Sequence, residues 1–486
     1  MVDVLIAMIQ ENQIEEDSLK LLTTDQAWHY SVVPYKIDGN HVHLLTDKKN
    51  ASSELVDELE IVLGKSIQLK EEDGEILKNI LKKHYPKSQV SGVNSNYSVH
   101  NEHKISVQEN NFIEQLVKEA KNLHSSDIHI ETYGETCRIR FRVDGVLVNR
   151  HQLSKKDYPS LVNKLKIAAA CDIAEKRLPQ DGRIRLRLET GNLDLRVSIL
   201  PTLYGEKIVL RLLGTDASHI TIDSLGFSSL ELERYQIGMK KPNGIILISG
   251  PTGSGKTTTL YATLKLINKS SSNILTIEDP IEYTLDGVNQ VQLKEDIGLT
   301  YAEALRTFLR QDPDVIMLGE IRDPQTAQMA IRAALTGHLV LSTIHTNSAW
   351  GTVSRLLDMG VPSYLLASTL NLSVAQRLVR ILCSDCKQEK YTHKTEIPKQ
   401  LWHLNLKSHF VAVGCKACYN SGYKGRKAIY EVLDVDNELV EKIKLNETHI
   451  DDYMTKRNIH KLSSNATLLY VNGETSLEEI YPYLIS

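Results

Sequence analysis

The chain of 486 residues lacks a net positive charge: 57 Lys and Arg against 61 Asp and Glu leave −4. A protein whose main partner is a nucleic-acid backbone needs a basic surface, so that class is disfavoured, local basic patches aside. No apolar run approaches the roughly 20 residues that span a bilayer; the longest are strand-sized, such as Gly244-Ile245-Ile246-Leu247-Ile248. The first residues, Met1-Val2-Asp3-Val4-Leu5-Ile6-Ala7-Met8-Ile9, carry an acid and no basic leader, and do not read as a signal peptide. The expectation is a chain that stays in the cytoplasm or docks on a membrane face. Solenoid-like repeats are missing as well. Cysteine is scarce, with six residues at 137, 171, 383, 386, 415 and 418, and four of these form two CxxC pairs. In a cytosolic chain that pattern points to metal rather than disulfide.

Charged residues at 24% and hydrophobic ones at 41% exclude whole-chain disorder and fibrous repeats, and the length suggests about three domains. Residues 1–85 mix strand patterns (31–34, 41–45) with helical stretches (54–63, 74–84) and read as a small α/β domain. Residues 86–106 turn polar, with Ser88, Ser91, Asn94, Ser95, Asn96 and Ser98 close together, which is linker composition. A second α/β domain follows over 107–215: a helix with Phe112, Leu116 and Ala120 on one face, then alternating strands such as 138–143, and a helix at 158–170. Its strands place Arg183, Arg185, Arg187, Arg196 and Arg211 between apolar residues; the plain reading is one solvated sheet face. Over 231–486, apolar strands at 245–249, 274–277, 315–318 and 339–343 alternate with helices, implying a mainly parallel sheet covered on both faces.

Gly250-Pro251-Thr252-Gly253-Ser254-Gly255-Lys256-Thr257 fits GxxxxGK[ST] between a buried strand and a helix opening at Thr258. Glycines let the backbone wrap phosphates, the helix N-terminus offers free N–H groups, and Lys256 adds a mobile cation. Thr257 is expected to place its hydroxyl on magnesium. Hydrolysis of a bound triphosphate then needs carboxylates for metal and water. Two acidic clusters lie at strand ends: Glu278-Asp279-Pro280-Ile281-Glu282, and Glu320 after Val315-Ile316-Met317-Leu318-Gly319. The second departs from the usual Walker B pattern, since Gly319 stands where an aspartate often does.

Together with Leu309-Arg310-Gln311-Asp312-Pro313-Asp314, Gly319-Glu320-Ile321-Arg322-Asp323 and Thr336-Gly337-His338 through His345-Thr346-Asn347, these segments resemble the type II secretion and type IV pilus assembly ATPases. In that family they are the Walker A, Asp, Walker B and His boxes, and all occur here in order. The resemblance extends to Ser126-Asp127-Ile128-His129-Ile130-Glu131, 177–183 and 201–206, covers roughly 107–435 strongly, and is weaker over 1–85. It implies a RecA-like P-loop core, a PAS-like second domain and a homo-hexameric ring hydrolysing ATP with Mg2+. It also implies recruitment through the first domain to inner-membrane platform proteins, as a peripheral assembly on the cytoplasmic face. By matching motif, Glu282 would orient or deprotonate water, Glu320 would support magnesium, and His345 would report on the γ-phosphate; the two glutamates could exchange roles. Arg196 and Arg211 match arginines that meet the phosphates, while Arg306 and Arg310, four apart on one helical face, and Arg322 look like subunit-contact arginines.

Cys383, Cys386, Cys415 and Cys418 form two knuckles with 28 residues between them, a spacing that closes a structural tetrahedral Zn2+ site within a module over 381–425. Retraction ATPases of the same family differ in lacking this insertion, so the resemblance favours assembly, and within assembly the compact length favours type II secretion over pilus extension. Cys137 and Cys171 read as core residues, and His338 and His345, seven apart, as nucleotide-sensing rather than metal-binding. A zinc-ribbon nucleic-acid translocase is the rival from another class; the charge and the absence of an aromatic, basic stripe weigh against it. A non-hydrolysing nucleotide scaffold is the third reading.

Overall fold

The computed structural model describes residues 14–19, 21–22, 27–28, 30–39, 41–48, 51–52, 55–56, 59–60, 63, 65–85, 111–188, 191–213, 220–393 and 397–484. The expectations for Met1 to Ile9 and for the polar stretch 86–106 lie outside these residues, and the helix expected over 54–63 does so in part. Two compact units divide the chain, Met1–Asn101 and Glu102–Ser486.

In the first unit, strands Val32–Asp38 and His41–Asp47 pair antiparallel, and Ser66–Glu72 adds in parallel to the second. Helix Gly74–His84 starts where Asp73 accepts the N–H groups of Glu75 and Ile76, satisfying donors that a helix start leaves free. Its Leu77 and Leu81 pack with buried Val33 and Leu44.

The second unit holds two large sheets. The first is antiparallel, with strands in the order Val146–Leu153, Cys137–Val143, Ser125–Thr132, Gly205–Leu213, Gly191–Thr202 and Gln180–Leu188. Strict alternation puts Ile128, Ile139, Phe141, Leu195 and Leu210 on one side, where helices Phe112–Asn122 and Tyr158–Ala168 cover them. The other side carries the arginines. The helix expected over 158–170 ends at Ala168, and Ala170 follows in the left-handed region with φ 56°.

The second large sheet runs Asn289–Gln292, Ile274–Glu278, Val315–Leu318, Leu339–Ile344, Gly244–Ser249, Leu370–Leu382 and Tyr423–Asp434. All pairings are parallel except the last. Strands Gly244–Ser249, Ile274–Glu278, Val315–Leu318 and Leu339–Ile344 are buried at every position, as two-sided helix cover demands. With a phosphate-loop motif at the end of the interior strand Gly244–Ser249, this is the RecA-like core implied by the resemblance. Three of its strands, Asn289–Gln292, Leu370–Leu382 and Tyr423–Asp434, were not foreseen from the sequence. No helix among the described residues is long and apolar enough to cross a membrane.

Candidate functional site

The phosphate loop links strand Gly244–Ser249 to helix Lys256–Ile267, which begins two residues earlier than expected. Gly250 has φ 151°, and a Cβ there would stand 2.5 Å from the Gln376 carbonyl; Gly255 opens the helix at φ 86°. Both positions demand glycine. Pro251, Thr252, Gly253 and Thr257 are exposed, and Thr258 is half-buried. The Ser254 hydroxyl is buried without a hydrogen-bond partner, a cost that an anion in the loop would remove. Lys256 Nζ donates to the carbonyls of Gly250 (2.8 Å) and Pro251 (2.9 Å). Burial lowers it to about 8, with Glu320 opposing and Arg377 adding to the effect.

Glu320 follows strand Val315–Leu318 with its side chain 13% exposed, paired to Arg322 and 3.4 Å from His345 Nε2. His345 follows the neighbouring strand Leu339–Ile344. The structure thus gathers Lys256, Glu320, Arg322 and His345 at the C-terminal edge of the sheet, where parallel sheets bind ligands. His338 sits at the other end of that strand, its Nδ1 2.9 Å from the Ala333 carbonyl.

The first acidic cluster divides in two. Glu278 is 2% exposed and fully engaged, taking hydrogen bonds from Tyr261, Thr276 (2.6 Å) and Gln290 (3.1 Å). Glu282, four residues on, is the open one. Desolvation nevertheless raises its carboxyl, which sits among protein atoms although the residue as a whole is exposed; Arg211 and Arg196 pull against the rise and Glu278 adds to it. The charge of the basic face of the antiparallel sheet is therefore felt at Glu282. Across that face Arg183, Arg196, Arg211, Asp127 and Arg142 are successive cross-strand neighbours. Asp127 lies 3.0 Å from Arg211 Nε and 3.5 Å from Arg142 Nε, so one end of the row is ion-paired, while Arg183 and Arg211 stay exposed as on a solvated face.

One expectation about the arginines is corrected. Arg310 does not share a helical face with Arg306: the helix is Tyr301–Phe308, Leu309 caps it, and Arg310 turns back to the Arg306 carbonyl at 3.1 Å. Pro313 shortly afterwards disfavours helix in the residue before it. Arg306 pairs with Glu303, and Arg322 with the catalytic candidate Glu320.

Residues missed in the sequence complete the site. Gln376 and Arg377 come from strand Leu370–Leu382: Gln376 Oε1 accepts from Thr259 at 2.8 Å, and Arg377 donates to the Gln376 and Asn347 carbonyls at 2.9 and 3.1 Å. Arg377 is 8% exposed, and burial pushes its pKa below the ordinary arginine value while Tyr483 and Glu431 oppose. Polar residues at inward positions of an otherwise apolar strand were the available signal.

At a separate place, the sulfurs of Cys383, Cys386, Cys415 and Cys418 all lie within 4.8 Å of one another. Three pairs stand 3.9, 3.7 and 3.7 Å apart, close to the ~3.8 Å edge of a tetrahedron with ~2.3 Å metal–sulfur bonds. Burial acts to raise Cys418, but the N–H groups of Cys415 and Gly422 on its sulfur bring it down to about 7. Cys137 is buried in the core of the antiparallel-sheet layer, and Cys171 is partly exposed at its rim. Next to this cluster, Asp144 at a hairpin tip of the antiparallel sheet accepts the Gly425 N–H at 2.8 Å, and Arg150 lies over the Tyr419 ring at 5.7 Å.

Residues 102–482 match the family described as Type II/IV secretion system protein. The chain is 47% identical over 373 residues to the putative type II secretion system protein E of Escherichia coli K12, covering 76% of this chain and 75% of that one. Against the type II secretion system ATPase E of Vibrio cholerae the identity is 49% over 334 residues, 68% of this chain and 66% of the other. Against the type IV pilus assembly ATPase PilB of Myxococcus xanthus it is 37% over 498 residues, 97% and 87%. Among solved structures, the pilus retraction motor PilT with bound ADP is 27% identical with a TM-score of 0.52, over 76% of this chain and 95% of that one. The Legionella pneumophila ATPase DotB, 22% identical with a TM-score of 0.57 over 77% and 95%, shares the fold. Sequence, topology and site geometry agree, and the chain belongs to the type II/IV secretion system protein family.

Proposed function

We propose that the chain is an ATP-hydrolysing motor that powers pseudopilus assembly for type II secretion. It works as a homo-hexamer on the cytoplasmic face of the inner membrane, recruited to platform proteins through a domain at 1–85, with 107–215 as the moving second domain and 231–486 as the motor core. One observation carries the chemistry: a phosphate loop with an orphaned buried hydroxyl at Ser254 lies beside a lysine, and Glu320 stands within the field of that lysine.

The residues present fit both ATP and magnesium. Gly250 to Thr258 form the phosphate cradle, and Thr257 with Glu320 would hold Mg2+, which supplies charge neutralisation on the phosphates. Lys256 keeps its proton at neutral pH and exchanges loop carbonyls for phosphate oxygens. Glu282, with a carboxyl more basic than usual, takes or orients the proton of the attacking water. Arg196 and Arg211 neutralise charge that grows on the transferred group, and His345, 3.4 Å from Glu320 Oε2, reports on the γ-phosphate. The four cysteines would hold Zn2+ in a closed structural site without a catalytic role.

The test is steady-state ATPase activity with magnesium. Glu320→Gln should keep nucleotide binding and lose turnover by roughly 100-fold or more; an unchanged kcat would remove Glu320 from the mechanism. Pilus extension is the second reading, favoured by the match to Myxococcus xanthus PilB over 97% of the chain. Deleting the gene separates the two: loss of secreted proteins supports secretion, and loss of surface pili supports extension.

A further inference from the structure

The mechanism above leaves unexplained how an exposed loop carboxylate, Glu282, is held at a fixed distance from the phosphate loop. Its neighbours on the loop offer little: the segment after strand Ile274–Glu278 has no regular structure until Asn289. Among the described residues, the Glu282 backbone N–H donates to the hydroxyl of Tyr261, at 3.3 Å. Tyr261 is fully buried and belongs to helix Lys256–Ile267, one turn beyond Thr257.

The same hydroxyl donates to Glu278 and lies 3.4 Å from Gln290 Nε2. Gln290 in turn donates to the Tyr283 carbonyl at 3.1 Å and accepts the Leu285 N–H at 2.7 Å. The Tyr283 ring packs edge-on against Tyr261, with centroids 4.6 Å apart at 73°. The hydrogen bonds of the Tyr261 hydroxyl thus fall on the loop that carries Glu282 and on the strands at its two ends. A helix is rigid over one turn, so whatever fixes the N-terminal end of this helix on phosphate fixes the Tyr261 hydroxyl too.

We infer that Tyr261 is the positioning residue for Glu282: its buried hydroxyl ties the Glu282 backbone to the helix that carries Lys256 and Thr257. The inference rests on the reading of Glu282 as the residue acting on water. In this role Tyr261 acts through Glu282 and not on the nucleotide itself. A carboxylate displaced by about 1 Å can lose ~100-fold in rate while substrate affinity stands.

The experiment compares Tyr261→Phe, which keeps the ring, with Thr276→Val, which removes another buried hydrogen bond to Glu278 (2.6 Å) without touching Glu282. For Tyr261→Phe the expected result is kcat lower by about 10- to 100-fold, with KM and ATP-analogue affinity within about twofold. Thr276→Val should stay within about twofold of the parent in kcat. Equal losses in both variants, or a normal kcat in Tyr261→Phe, overturn the inference. Hydrogen exchange in the unaltered chain gives a second check that needs no variant: the Glu282 amide should be protected, and free exchange there counts against the bond. A Glu282→Gln chain with normal kcat would instead sink the reading of Glu282 itself.

Discussion

Gly319 stands where an aspartate commonly closes the second acidic motif of nucleotide-binding sheets. The structure supplies the physical reason for the exchange. A Cβ at this position would come 2.9 Å from the Tyr301 hydroxyl and 3.3 Å from the Ile277 carbonyl, and Tyr301 is itself 7% exposed. Restoring the acid by Gly319→Asp should therefore destabilise the chain, by roughly 1–3 kcal/mol from overpacking, and should not raise turnover. The pair Gly319→Asp with Tyr301→Phe should recover part of the loss. Thermal unfolding of the three variants checks this, and an unchanged midpoint in Gly319→Asp would show that the pocket has room. At this scale the motifs were legible in the sequence but the division of labour inside them was not. Glu278 and Glu282 look alike on the page of residues; only Tyr261, Thr276 and Gln290, brought from a helix, the same strand and the next strand, absorb one and leave the other open.

Strands reveal why some elements were easy to read and others were not. The alternation of arginine with apolar residues over Cys137–Val143 and Gln180–Leu188 announced a sheet with one apolar face. Strand Leu370–Leu382 escaped notice because Asn371, Ser373, Gln376 and Arg377 break its apolar run; Asn371 donates to the Asn243 carbonyl and Ser373 to the Ala349 carbonyl, while Gln376 and Arg377 face the phosphate loop. On the antiparallel sheet, Glu131 is 2% exposed and anchors three cations: Arg138 at 3.1 Å, Arg140 at 2.8 Å and Lys207 at 3.2 Å. Burial opposes ionisation, but hydrogen bonds from Arg140, Lys207 and Arg138 hold the carboxyl down to about 2. A depressed carboxyl contributes its stability in full above the ordinary value of 4.5 and loses it as pH falls toward 2. The contribution is about 2–3 kcal/mol at neutral pH. Thermal unfolding of Glu131→Gln should show that stability already missing at pH 7 and a shallower fall between pH 5 and pH 3; a fall as steep as the parent's would assign the acid sensitivity elsewhere.

Over the whole molecule, the net charge of −4 conceals a basic sheet face set toward an acidic site. In the proposed motor, charge complementarity of this kind would let the arginine face approach and leave Glu282 as nucleotide charge comes and goes. If sites are completed between copies of the chain, specific ATPase activity should rise steeply with protein concentration in the presence of magnesium. A flat profile at an appreciable rate would mean that each chain works alone. The fold class and the sheet's ligand edge followed from the order of apolar strands and helices, whereas the pull of the arginine face on Glu282 depends on tertiary packing that no local pattern encodes.

The order in which the parallel sheet is threaded has a consequence for synthesis of the chain. Strand Gly244–Ser249 lies between Leu339–Ile344 and Leu370–Leu382, and the loop that follows it closes on Gln376, through Gly250, Gly255 and Thr259. The phosphate motif is thus translated more than a hundred residues before the strand that shapes it. A nascent chain halted between the two carries every residue of the motif and none of its form, so ATP can act as a folding ligand only late, after the far strand has left the ribosome.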